Sequence, residues 1–163
     1  MDYLEYLPKH IQYPDVSIYQ SNNFLVLDYE TTNYDYGHPR WNENKLVHAS
    51  WKFQNILKHN YANEFHQDEL CSDLEKCDFV VAHNTKFELG WTKRIGYPID
   101  KLITYCTQIG EKTIISNRRG FRQDLNSCLE RRGLPQKETL VSRLIKAGVC
   151  PSLIPKRVLV RYC

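Results

Sequence analysis

The sequence predicts a single α/β domain built on a mixed sheet, and three observations carry that expectation. Short apolar runs bounded by polar turns come first, at Phe24 to Tyr29 and Leu46 to Phe53. Beyond residue 66, helical spacing alternates with further short runs such as Phe79-Val80-Val81-Ala82. Strands followed by alternating strands and helices imply a sheet with helices packed on it. The third observation is size: 163 residues, 42% hydrophobic and 25% charged, suit one domain with a real core.

Each element has a local reason. Residues 1–22 are rich in Tyr and Pro and read as an irregular, partly helical lead-in packed on the core, with the domain proper spanning 23–163. Phe24 to Tyr29 is the first strand and Leu46 to Phe53 the second, with a weaker third expected near Tyr61–Phe65. From His66 to Cys77 the pattern turns helical, with Leu70, Leu74 and Cys77 on one face. Asp78 to Ala82 then reads as a buried strand. His83 to Trp91 enters a helix that stops near Gly96-Tyr97-Pro98, and a short strand follows at Leu102–Cys106. Three further helices are expected. One runs from the N-cap Asp124 to Arg132, before Gly133-Leu134-Pro135; one from Glu138 to Ala147, before Gly148; and one from Pro155 onward.

Composition narrows the function classes. No apolar run approaches a membrane span, and MDYLEYLPKH is acidic and aromatic, unlike a signal peptide. The six cysteines form no C-x-x-C pair, so reduced thiols in a cytoplasm (a host's, if the source is viral) are expected. The net charge of +3 conceals an asymmetry. Residues 1–111 carry 10 Lys+Arg against 16 Asp+Glu, whereas residues 112–163 carry 12 against 3. A basic final third suits a polyanion approaching one side, with Arg118, Arg119 and Arg122 as candidate contacts; a solvated, arginine-rich helix face fits equally.

The first chemical motif is FLVLDYETTNYDYG, residues 24 to 37. Asp28 and Glu30 lie two apart on a strand, hence on one face and roughly 7 Å apart along the chain. Like charges so placed call for a cation between them or a shared proton. A solvated strand end leading into a turn is the alternative. The second motif, VVAHNTKFELGW, again ends a buried strand in polar residues and starts a helix, with Asn84 and Glu88 one turn apart. Asn84 as a helix cap and Glu88 as an exposed acid remain the plain alternative. Ligands collect at the carboxyl ends of strands in open α/β sheets, and oxygen donors suit Mg²⁺ or Mn²⁺.

D-x-E-T-T after a first strand, followed by V-A-H-N-x-K-F-E-L-x-W, resembles the first two motifs of the DEDD superfamily of 3′–5′ exonucleases. It is most similar to the proofreading domain of phage family A DNA polymerases. LNSCLERRGLPQK and IKAGVCPSLIPKRVLVRYC resemble the helices before that family's third motif, so the likeness covers residues 23 to 163. The resemblance implies a ribonuclease-H-like fold and two-metal hydrolysis of a DNA 3′ end. It makes Asp28 the acid bridging both metals, Glu30 the acid that orients water, Glu88 the acid reaching the second metal, and Tyr162 the third motif's tyrosine. Thr31 and Asn84 are implied to position an acid or the terminal nucleotide, with local capping as the alternative for each.

Three departures accompany the likeness. The third motif's Asp would fall three residues past Cys163, so the domain is expected to be truncated there. Glu88 stands where the family has Asp, and Tyr105-Cys106-Thr107 lacks an Asp that relatives place before the Thr. The expected function is an impaired proofreading-type exonuclease domain binding a single-stranded DNA 3′ end, partnered by a separate polymerase subunit or the remainder of a split polymerase. The alternatives are a non-catalytic module binding DNA or a polymerase, and an RNA-trimming exonuclease.

Overall fold

The computed structural model describes residues 16–62, 67–115, 120–137 and 139–162. Eleven regular elements are described: β1 (Phe24–Thr31), β2 (Leu46–Phe53), β3 (Ile56–Tyr61), α1 (Gln67–Lys76), β4 (Phe79–Ala82), α2 (Thr85–Arg94), β5 (Thr104–Cys106), α3 (Thr107–Ile114), α4 (Leu125–Arg131), α5 (Thr139–Lys146) and α6 (Lys156–Tyr162). The strands form one mixed sheet in the order β3-β2-β1-β4-β5. β1, β2 and β3 pair antiparallel, while β4 and β5 run parallel to β1. This is the α/β architecture with a mixed, helix-flanked sheet that the sequence pattern predicts.

Alternation along β1 sorts its side chains between two layers. Leu25, Leu27 and Tyr29 are buried with their cross-strand partners Phe53, Trp51 and Ala49. This face packs against Leu70 and Leu74 of α1 and Trp91 of α2, forming the main core. Each fully buried large side chain contributes about 1.5–3 kcal/mol of apolar transfer. Asp73 of α1 fixes the helix to the sheet, accepting from Trp51 Nε1 at 2.8 Å and Lys58 Nζ at 2.7 Å.

The other face lies under a second, smaller core in which Val141, Ile154 and Leu159 are buried with α5 and α6 side chains around them. A register shift between Glu30 and Thr31 pairs them with His48 and Leu46, leaving Val47 as the extra residue on β2. Such a bulge reverses the alternation. Leu46 accordingly joins the main core and Val47 the smaller one.

The third strand lies earlier than the sequence suggests. β3 spans Ile56–Tyr61, not Tyr61–Phe65, and of that expected range residues 63–65 lie outside the described residues. The cause is the two-residue turn Gln54-Asn55, with φ of 48° and 65°. Both central residues are left-handed, as a tight hairpin requires, but the pair lacks the glycine that normally signals one. Helix α3 is an addition to the three helices that the sequence predicts beyond the 102–106 strand. The lead-in is described from residue 16, where Val16–Gln20 forms a 3-10 turn. Its Tyr19 packs edge-on to Phe79 and Tyr105, and its hydroxyl donates to the Thr104 carbonyl. No helix among the described residues is long and apolar enough to cross a membrane. The five described cysteines are free thiols.

His48, fully buried on β2, stacks on His59 at 5.4 Å and tilts against Tyr61 at 4.7 Å. Neither of its ring nitrogens has a hydrogen-bond partner among the described residues. Burial, reinforced by His59 and opposed by Asp28, pulls its pKa from 6.5 to about 4. The unfolded chain therefore takes up a proton below about pH 6.5 that the folded protein refuses until about pH 4. The stability this confers is present above that window and is lost through it as pH falls, by up to about 3 kcal/mol. Urea midpoints at pH 7.5 and 5 should differ accordingly, and His48→Phe should flatten the difference. An equally steep fall in that variant would place the titration elsewhere.

Candidate active site

The site forms where β1 meets the start of α2. Asp28 and Glu30 project from β1, and Glu88 comes from the first turn of α2. Glu88 Oε2 accepts the backbone N–H of Tyr29 at 3.1 Å, so its carboxyl is clipped to β1 between the other two acids. Glu88 is 6% exposed, and burial raises its pKa well above the usual carboxylate range, with the charges of Asp28 and Glu30 adding to the effect. Asp28, Glu30, Glu88, Asn84 and Phe87 line one cavity of about 620 Å³. The acids that the sequence singles out are thus brought together.

A cation that the sequence reading missed meets them. Lys137 Nζ lies 2.8 Å from Asp28 Oδ2, and also 4.3 Å from the ring centre of Tyr162. Its side chain is 19% exposed. Burial lowers its pKa, but the charge and hydrogen bond of Asp28 and the charge of Glu30 outweigh that and hold it well above the ordinary lysine value. The loop carrying it is fixed from α4. Asp124 caps α4 by accepting Ser127 N–H at 3.1 Å, and Asn126 Oδ1 accepts the Lys137 backbone N–H at 2.9 Å. Nothing in G-L-P-Q-K marks that lysine, because its partner is 109 residues away.

Tyr162 sits in the last turn of α6, half-buried, and its hydroxyl accepts from Ser142 at 3.3 Å. Thr31 is buried, its hydroxyl donating to the carbonyls of Thr32 and Gly37, so it shapes the loop after β1. Asn84 occupies the N-cap position of α2 without a side-chain capping bond, leaving its amide at the cavity wall. Arg122 is exposed and paired with Asp124 at 3.0 Å. Arg118 and Arg119 lie outside the described residues. A second cavity of about 580 Å³ is lined by Arg122, Lys137, Arg143, Lys146 and Tyr162. Lys146 and the Asp28–Lys137 pair join it to the acidic cavity.

The loop after β1 forms the outer rim. Asp35, Tyr36 and Gly37 have consecutive left-handed φ values of 42°, 59° and 71°. A side chain at Gly37 would meet Thr31 Oγ1 at 2.2 Å, so only glycine fits. Trp91 Nε1 donates to the Gly37 carbonyl, and the Asn44 amide donates to the carbonyls of Tyr34 and His38. The Arg94 guanidinium donates to the carbonyls of Pro39, Trp41 and Asn42. Gly90 lets this loop approach α2, since a Cβ there would stand 2.5 Å from Pro39. The result presents Tyr36, 95% exposed, at the cavity wall. The left-handed backbone at Tyr36 is held by these contacts rather than by its residue type.

For a divalent cation, the donor chemistry fits and the spacing is not closed. All three acids offer hard oxygen ligands, and the Glu88 carboxyl, its pKa raised first by burial and then by the charges of Asp28 and Glu30, sits among acids that a cation would stabilise. Among the described residues, however, no three His, Cys, Asp or Glu side chains stand together as a formed metal cage. Compared with protein-family models the sequence matches none, and a search of curated proteins likewise finds no match.

Glu88→Gln keeps an acceptor for the Tyr29 N–H while removing the charge. Because the folded protein holds the Glu88 proton more tightly than the unfolded chain, stability falls as pH rises above about 4.5. The variant should therefore have the higher denaturation midpoint at pH 8, and the gap should shrink toward pH 4. A midpoint below wild type at pH 8 would show that the Glu88 charge is already neutralised.

Proposed function

We propose that this chain is an exonuclease-type domain of ribonuclease-H-like fold that engages the 3′ end of single-stranded DNA. The observation that carries the reading is the convergence of Asp28, Glu30 and Glu88, from β1 and α2, on one cavity bordered by a basic cleft. The sheet order, with an antiparallel β1-β2-β3 set extended by parallel β4 and β5, is compatible with that fold.

In this reading Asp28, Glu30 and Glu88 hold the divalent metal, Mg²⁺ or Mn²⁺. When bound, such ions supply an activated water and stabilise the departing 3′ oxygen. The remaining work falls to the chain itself. The Tyr29 N–H fixes the direction of Glu88. Arg122, Arg143 and Lys146 take the sugar-phosphate backbone, and Tyr36 offers a face on which a base can stack. Free thiols suit a reducing compartment such as a cytoplasm. The second reading, a module that binds DNA without cutting it, is favoured by the Asp28–Lys137 pair and the absence of a formed metal cage among the described residues.

Calorimetric titration should show Mn²⁺ binding to the wild type and none to Asp28→Asn. Equal heats in both would remove the acids from the metal site. Loss of a 3′-labelled nucleotide in Mn²⁺, but not in EDTA or in Asp28→Asn, would select the exonuclease over the binding module. Three phosphate contacts predict that single-stranded DNA affinity falls about 20-fold between 50 and 200 mM salt. A flat salt response would leave the basic cleft as solvated surface. Tyr36→Ala should weaken binding by about 1–3 kcal/mol, with little change in the salt slope.

A further inference from the structure

Lys137 stands where a counter-charge is required. Three carboxylates share one cavity, and its ammonium lies 2.8 Å from one of them with its side chain mostly buried. The position is built rather than incidental. The Asn126 side chain holds its backbone N–H, and the Tyr162 ring lies under its ammonium. A surface ion pair has no such support and contributes little. An ammonium is a compact point charge with three donors, so it serves the same electrostatic need as a metal ion. One carboxylate oxygen, Asp28 Oδ2, cannot serve both at contact distance.

We propose that Lys137 is the resident counter-cation of the acidic site, occupying at Asp28 the place that a divalent ion takes, so that lysine and metal exclude one another. The inference rests on the metal reading given above. The exit is already present. Lys137 also lines the basic cleft with Arg122, Arg143 and Lys146, where a nucleic-acid phosphate would receive its ammonium. Metal arrival at the acids and phosphate arrival in the cleft then favour the same displacement. Loading of the site becomes coupled to the presence of a polyanion.

The test uses the full chain, Mn²⁺ as probe, and two readouts that need no catalysis. Lys137→Met should bind Mn²⁺ at least about tenfold more tightly than wild type, since a unit positive charge beside the ion has been removed. Lys93→Met, an exposed lysine at the far end of α2, controls for net charge and should stay within about twofold. In EDTA, Lys137→Met should melt below wild type, and saturating Mn²⁺ should raise its melting point more than it raises the wild type's. Should the variant fail to fold, amine acetylation of the wild type read by mass spectrometry tests the same exchange. Lys137 should be protected in EDTA and become reactive in saturating Mn²⁺. Wild type that binds Mn²⁺, with Lys137→Met no tighter or with Lys137 labelling unchanged by the metal, overturns the exchange alone. No Mn²⁺ binding by either protein overturns the metal reading and takes the exchange with it.

Discussion

Three carboxylates gathered against a low-dielectric wall set the terms for the rest of this molecule. Their mutual repulsion works against folding, so the surrounding structure must supply positive charge and donors at fixed points. The Tyr29 N–H supplies one donor from within the sheet, and Lys137 supplies a full charge from the far end of the chain. The capped α4, the loop after it and the α5–α6 pair can be understood as the support for that lysine. One face of the sheet carries the main apolar core; the other combines a smaller core with this electrostatic problem and its solution.

Local signals made much of the fold legible. The apolar run ending at Asp28 and the strand ending at Ala82 were readable because a buried strand needs few cues beyond composition and length. Asp124 was readable as a cap because its partner is local: Ser127, three residues on, donates both its N–H and its hydroxyl to the Asp124 carboxylate. β3 was displaced because its turn uses Gln54-Asn55, whose left-handed geometry the residue types barely announce. α3 was missed because Thr107–Ile114 is short and leaves Ile109 and Ile114 exposed, so no apolar stripe marks it.

The site divides in the same way. Asp28, Glu30 and Glu88 were legible because strand alternation and helix periodicity turn spacing into direction. Asn84 was legible as a position but not as a bond, since its side chain makes no capping contact. Lys137 and Tyr36 were not legible. The first depends on a contact across most of the chain, and the second on three successive backbone angles that no residue type demands. Long-range pairing and backbone strain are properties of the fold, invisible to periodicity.

The loop from Thr32 to Lys45 closes the account from another direction. Its carbonyls are held by the indole of Trp91 and the guanidinium of Arg94, both on α2, and by the amide of its own Asn44. Its conformational freedom is therefore surrendered when the protein folds, not when something arrives at its tip. Tyr36 rides on a support already stiff, and a partner meeting that ring has only two side-chain torsions left to quiet. Any recognition at this rim would thereby depend on residues outside the cavity lining. Trp91, Asn44 and Arg94 set its entropy, and drift at any of them would be felt as lost binding by a surface whose own atoms had not changed.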